Sequence, residues 1–170
     1  MRTADDDAEF TAFVGATSRR LLRSAYLITG DLAEAEDLLQ TALERTYRRW
    51  TWVRQKDAPE AYVRKILFSS AVDAARGRKL SSSPLYEEQL PGKPDPAIEG
   101  VSGRAALLNC VRTLPRGQRA VLVLRYFDDL TEAETARTLG CSIGTVKSQH
   151  ARAMTRLREL VPQQQDGSTT

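Results

Sequence analysis

Apolar positions recur at helical spacing through almost the whole chain. Phe10, Phe13, Val14, Leu21, Leu22 and Ala25 approximate the i, i+3, i+4, i+7 spacing that lines one helix face, and Gly30 fits a C-terminal cap. Asp31, with Glu34 three residues on, predicts a capped second helix carrying Leu32, Ala35, Leu38, Leu39, Ala42 and Leu43 to about Trp50. A third begins at Asp57, Pro59 and Glu60, runs through Tyr62, Ile66, Leu67, Ala71 and Ala74, and ends in the basic stretch Arg76 to Lys79. Further on, the spacing predicts a helix over 104–113 stopped near Pro115 and a buried helix around Val121 to Leu124. A short helix over 131–139 is capped by Thr131 with Glu134. Gly140 closes it, and Ser142 caps a last helix from Ile143 to about Leu160, ended by Pro162. No segment alternates with the period of a strand, so the predicted fold is all-α.

The helical period fails in one internal place. Between Ser81 and Gly103, Ser, Pro and Gly make up 11 of 23 residues, the composition of a solvated linker. The expected organisation is therefore a helical domain at 1–79, a flexible linker at 80–103, a second helical domain at 104–162 and a disordered tail at 163–170. Nothing in the sequence approaches the about 18 apolar residues of a membrane span. The first residues, Met1 to Glu9, are acidic rather than signal-like, which predicts a cytoplasmic protein without membrane contact. Cys110 and Cys141 with a single histidine support neither a disulfide framework nor a zinc site, and no metal or cofactor is expected.

A net charge of +3 conceals strong segregation. Residues 1–44 sum to −5, 45–80 to +7, 81–103 to −3 and 104–170 to +4. The partners should differ accordingly from segment to segment. The last two helices, separated by Gly140-Cys141-Ser142, have the form of a helix-turn-helix, which makes the C-terminal domain a candidate reader of duplex DNA. On the final helix Ile143, Val146, His150, Ala153, Leu157 and Leu160 should face the core, with His150 hydrogen-bonded at its edge. The opposite face is polar and basic. Its Thr145, Lys147, Ser148 and Gln149 are candidates for base edges in the major groove, and Arg152 and Arg156 for phosphates, with Ser142 at the helix start.

Between Tyr47 and Lys79, Tyr47, Trp50, Trp52 and Tyr62 are interleaved with Arg45, Arg48, Arg49, Arg54, Lys56, Arg64 and Lys65. Aromatic faces among cations suit unpaired DNA, where a stacked base is worth about 1 to 3 kcal/mol. Helical spacing from Leu43 makes Tyr47 and Trp50 better core residues, leaving Trp52 as the exposed candidate. On the second helix Glu34, Glu36, Asp37 and Glu44 form an acidic patch with Gln40 inside it, which suits a basic partner surface.

Two sets of residues resemble a known family. Leu21-Leu22-Arg23-Ser24-Ala25-Tyr26-Leu27-Ile28-Thr29-Gly30, then Ala35-Glu36-Asp37-Leu38-Leu39-Gln40 and Tyr47-Arg48-Arg49-Trp50, resemble region two of extracytoplasmic-function sigma factors of the sigma-70 family. Leu114-Pro115-Arg116-Gly117-Gln118-Arg119 and Leu139-Gly140-Cys141-Ser142-Ile143-Gly144-Thr145-Val146-Lys147-Ser148 are similar to region four. The resemblance spans residues 8–161 and is to the short, actinobacterial, sigma-E-like type. It implies a factor that binds core RNA polymerase and directs promoter-specific transcription initiation, without chemistry of its own.

By that resemblance Glu36, Asp37, Gln40 and Glu44 would contact the polymerase, at the clamp coiled coil of its beta-prime subunit. Trp52, Arg54, Tyr62, Arg64, Lys65, Ser69, Asp73 and Arg76 would recognise and melt the minus-ten element. Ser142, Thr145, Lys147, Ser148, Gln149, Arg152 and Arg156 would read the minus-35 element, in a domain that also touches the beta flap. Duplex and melted promoter DNA are thus expected partners, and an anti-sigma factor is a further candidate. Three positions depart from the family pattern: Ser69 replaces a usual Asn, Gly77 interrupts the basic run, and Gln149 replaces a frequent Arg.

Two other classes fit less well. An autonomous helix-turn-helix regulator would have no use for the aromatic-basic block at 47–79. An enzyme would need acid-base or nucleophile machinery, and the chain has no HExxH, GxSxG, GxGxxG or P-loop. The linker adds a geometric expectation. Its 23 residues reach about 75 Å at full extension but average about 26 Å as a coil, against about 70 Å between elements two helical turns apart. A polymerase surface that holds the tether stretched would resolve the difference, so the isolated chain should bind promoters poorly.

Overall fold

The computed structural model describes residues 3–81 and 102–160. Among these the regular structure is entirely helical: α1 (Ala4–Thr29), α2 (Leu32–Arg48), α3 (Trp50–Val53), α4 (Pro59–Ser81), α5 (Ser102–Arg112), α6 (Arg116–Leu122), α7 (Glu132–Leu139) and α8 (Ile143–Leu160). A π-helical turn, Val123–Phe127, continues α6. The expected linker, the stop at Pro162 and the tail from Gln163 lie outside the described residues, except that α4 reaches Ser81 and α5 already begins at Ser102.

Caps set most boundaries. Gly30 and Gly140 adopt left-handed backbone at φ 72° and 66°, as the ends of α1 and α7 require. Thr131 and Glu134 form a full capping box at α7, and its two bonds hold the Glu134 carboxyl below the usual carboxylate range. At α2 the box is only half made. Asp31 accepts from the Glu34 N–H at 2.8 Å, but the Glu34 carboxylate is engaged elsewhere. Helix α1 starts six residues ahead of Phe10, because Thr3 and Asp6 form a second full box with bonds of 3.0 and 3.3 Å.

Helix α2 ends at Arg48 rather than near Trp50. The chain bends at Arg49, and the Trp50 indole, 2% exposed, enters an aromatic cluster with Phe10 and Phe13, each 5.1 Å away between ring centres. Trp52 consequently sits on the short helix α3 rather than in a loop. In the C-terminal half, two expected core positions of the last helix face outward. Ile143 is 45% and Leu160 41% exposed, because the clusters that cover α8 take in Val146, Ala153, Met154 and Leu157 but neither of its ends.

The largest core cluster draws on both halves of the chain. Leu21, Ala25 and Ile28 of α1, Leu39 and Ala42 of α2, and Val63, Leu67, Phe68 and Ala71 of α4 pack with Leu108 of α5, Ala120 of α6, and Val123 and Leu124 of the π turn. Smaller clusters knit α5 and α6 to α8, and α6 to α7 and α8. In the π turn the Asp128 N–H bonds the Val123 carbonyl at 3.1 Å, which admits one extra residue to the turn. Leu124 thereby points into the shared core while the Asp128 side chain reaches α1.

Candidate functional site

Helices α7 and α8 meet at the tight Gly140-Cys141-Ser142 turn. The Ser142 hydroxyl accepts from the Thr145 N–H at 3.1 Å and lies 3.0 Å from the Thr145 hydroxyl, so both are tied to the start of α8. Lys147, Ser148, Arg152 and Arg156 are exposed on one side of that helix, with the Lys147 ammonium 3.8 Å from Glu132 at the start of α7. Gln149 does not share that exposure. It is half-buried, its amide nitrogen 3.6 Å from the point where a Cβ on Gly117 would stand, so it leans on α6. His150 bonds the Tyr126 hydroxyl at 2.7 Å at the rim of the packed stripe, as its position predicts.

A second surface surrounds α3 and the exposed side of α4. Trp52, 51% exposed, meets Tyr62 edge-to-face at 5.9 Å, and Lys56 lies 4.4 Å over the indole. Lys56 is an addition to the expected site residues, although its place four residues beyond Trp52 in a basic segment signals it. Lys65, Asp73 and Arg76 are exposed, the last two 4.0 Å apart. Other candidates are already engaged. Arg54 binds Asp6 at 2.7 Å and Glu9 at 2.8 Å, while the Ser69 hydroxyl donates back to the Lys65 carbonyl. Arg64 donates to Glu60 at 2.9 Å and approaches Asp128 at 3.6 Å. Burial raises the Asp128 carboxyl above the usual carboxylate range, and a hydrogen bond from Ser24 and the nearby Arg64 cation oppose that shift.

The third surface is an open groove of about 540 Å³ between α1 and α2. Phe10, Val14, Leu22, Leu39 and Leu43 give it an apolar lining, and Glu36, Gln40 and Glu44 provide polar groups along α2. Asp37 is exposed on the same helix outside that lining. The wall from α1, including Asp7, is not anticipated by the sequence, because the spacing of Phe10 and Val14 reads as ordinary core. Glu34 is separated from its acidic neighbours by a bidentate pair with Arg116, both contacts 2.7 Å.

A helix-turn-helix with a cationic outer face, an exposed aromatic-basic surface and an acid-edged apolar groove together define a DNA-binding transcription factor with a protein-docking surface. Two family models match the chain: Sigma-70 region 2 matches residues 13–80, and Sigma-70, region 4 matches 104–157. The chain is 43% identical over 152 residues to the RNA polymerase sigma-E factor of Streptomyces coelicolor, spanning 89% of this chain and 85% of that one. It is 30% identical over 158 residues to the ECF RNA polymerase sigma factor SigM of Mycobacterium tuberculosis, spanning 93% and 80%. Its fold matches that of the sigma factor RpoE of Bartonella quintana, solved with the anti-sigma factor NepR, at a TM-score of 0.70 and 23% identity over 89% of this chain and 96% of that one. The chain belongs to the extracytoplasmic-function group of the sigma-70 family and is an RNA polymerase sigma factor. Among the described residues no helix is long and apolar enough to cross a membrane.

Proposed function

We propose that the three surfaces divide promoter recognition among them, in a cytoplasmic factor that has no catalytic activity of its own. The groove between α1 and α2 takes the clamp coiled coil of the polymerase beta-prime subunit. An amphipathic helix with basic flanks would lay its apolar side on Leu39 and Leu43 and its cations on Glu36, Gln40 and Glu44, with Asp37 as an outer contact. The surface of Trp52, Arg54, Tyr62, Arg64, Lys65, Ser69, Asp73 and Arg76 takes the minus-ten element as it melts. Trp52 supplies the stacking face, supported by its half-exposed indole braced between Tyr62 and Lys56. Helix α8 reads the minus-35 duplex through Thr145, Lys147 and Ser148, with Arg152 and Arg156 on phosphates. Ser142 acts as its cap, and Gln149 supports the helix from α6 more than it contacts DNA.

The observation that carries this reading is the acid-edged groove on the same domain as the exposed Trp52, since a free-standing repressor needs neither. The Bartonella sigma factor is held by an anti-sigma factor in its solved complex, and the groove of the present chain would suit such an inhibitor. The beta flap is the corresponding partner of the C-terminal domain.

Run-off transcription with purified core polymerase on genomic promoter fragments tests the whole assignment. Asp37→Arg should lower core affinity about tenfold by placing a cation against a basic partner; unchanged co-elution with core would refute the clamp contact. Lys147→Ala should reduce minus-35-dependent initiation about tenfold, the range for losing one specific major-groove contact. Full activity on such promoters would remove α8 as the reader.

A further inference from the structure

The first two turns of α1 grip the segment that carries Trp52. Asp6 is 3% exposed and divides its carboxylate: Oδ2 accepts the Thr3 N–H at 3.0 Å, and Oδ1 lies 2.7 Å from the Arg54 guanidinium. Glu9 accepts from the same guanidinium nitrogen at 2.8 Å, and the Tyr47 hydroxyl donates to Asp7 at 2.9 Å. The Thr3 N–H, ahead of the Arg54 cation, holds the Asp6 carboxyl below the usual carboxylate range against the opposing effect of burial. The pair with Arg54 is therefore charged on both sides at neutral pH. Capping α1 accounts for the first oxygen of Asp6 and not for the second, which is turned toward α3.

Helix α3 has only four residues, and its N-cap, Arg49, makes no side-chain cap bond. So short a helix does not persist on its own hydrogen bonds. Its orientation depends on what is fastened on either side of Trp52. Trp50 and Val53 are buried and fix its depth. Rotation about that apolar base is left to Arg54, whose N–H closes α3 on the Trp50 carbonyl at 2.8 Å and whose guanidinium is tied to α1. Lys56, over the Trp52 ring, is joined to the same turn by its N–H on the Val53 carbonyl. Arg54 meanwhile has little to offer a DNA phosphate, which would have to displace Asp6 and Glu9 together.

We propose that Asp6, assisted by Glu9, is a positioning residue for promoter melting: it holds Arg54, Arg54 fixes α3, and α3 presents Trp52 to an unpaired base. Arg54 thereby serves the minus-ten surface as a strut from behind and not as a phosphate contact. This role rests on the reading of Trp52 as the stacking face.

Asp6→Asn combined with Glu9→Gln separates this role from capping, because the asparagine carbonyl oxygen can still accept the Thr3 N–H while neither side chain attracts Arg54. The full chain is assayed with core polymerase on a promoter fragment that it transcribes, and melting is followed by permanganate reactivity of unpaired thymines. The double variant should melt the promoter about tenfold more slowly, within the range for one lost stacked base, and should co-elute with core as the parent does. In a Trp52→Ala background the same two changes should alter melting less than about twofold, because changes that act through one ring are not additive. Arg54→Lys keeps the cation without the fork and should fall only about threefold, whereas Arg54→Gln should match the double variant. A normal melting rate in the double variant, an equal loss with and without Trp52, or a lysine variant as slow as the glutamine one each overturns the positioning role. Faster melting also overturns it, since the carboxylates would then be competing with DNA for Arg54. If the double variant loses core binding, or its helices by circular dichroism, Glu9→Gln alone, at an exposed site, carries the test. It should slow melting at least about twofold with Trp52 present and not without it, and an unchanged rate overturns the role. Normal melting in Trp52→Ala by itself overturns the stacking reading of Trp52, and this role with it.

Discussion

Arg119→Met is expected to destabilise the protein by about 3–5 kcal/mol, because three buried carbonyls each lose a donor at about 1–3 kcal/mol. The guanidinium is 6% exposed and donates to three backbone carbonyls: Ile28 in the last turn of α1, Arg112 at 2.7 Å and Leu114 at 2.9 Å beyond the end of α5. All three lie at or just past helix ends, where carbonyls lack partners and the helix dipole is negative. Burial, aided by the Arg116 and Arg112 cations, pushes its pKa down to about 10, so it remains protonated at neutral pH. Methionine fills much of the volume but satisfies none of these acceptors. Lysine should recover only part of the loss, since one ammonium cannot reproduce the planar fork. Thermal unfolding followed by circular dichroism should fall by about 10 °C or more for Arg119→Met in a domain of this size. A fall under about 2 °C would contradict the role given to this side chain.

Trp50→Ala should cost about as much, 3–5 kcal/mol, through the cavity left beside Phe10 and Phe13. Its effect on function should exceed its effect on α1 and α2, because α3 exists only by virtue of the bend that seats this ring. Losing the bend frees Trp52 and Arg54 from their positions. Trp50→Phe keeps an aromatic ring but leaves a smaller cavity and removes the N–H. The indole nitrogen has no hydrogen-bond partner, so phenylalanine sacrifices no bond and should cost less than alanine, through the smaller cavity alone. It also leaves Trp52 as the chain's one tryptophan, whose emission should be that of a water-exposed indole. Blue-shifted emission in Trp50→Phe would place Trp52 in an apolar setting and undo its assignment to DNA.

These two residues show what the sequence reveals and what it conceals. Local chemistry is readable: Gly30, Asp31, Thr131, Gly140 and Ser142 mark boundaries because each cap is settled within about four residues, and the helix-turn-helix follows from them. The place of Trp50 in the core follows from its spacing. The bend at Arg49 does not, since only tertiary packing decides that the ring turns toward α1. Arg119 reads as one more surface cation in a basic segment. Its burial depends on carbonyls at the ends of α1 and α5 that no short motif announces. Glu34 likewise reads as part of a docking patch, and only the fold shows that Arg116, 82 positions away in sequence, holds it. The Thr3 box is available in principle, for a threonine followed three residues later by an acid is a helix start. The acidic run around it, weighed only as a targeting signal, hides that start. The exposure of Lys65, Lys147, Arg152 and Arg156 follows from their spacing, whereas the wall of the groove supplied by α1 and the withdrawal of Arg54 and Arg64 depend on tertiary contacts.

The single surplus residue in the turn Val123–Phe127 has an evolutionary corollary. Each residue advances a regular helix by about 100°, so excising one there would swing everything downstream around the axis and aim α8 at a different azimuth. Length changes in this five-residue stretch should therefore be poorly tolerated among descendants of this gene, since each one re-aims the helix that carries Lys147, Arg152 and Arg156.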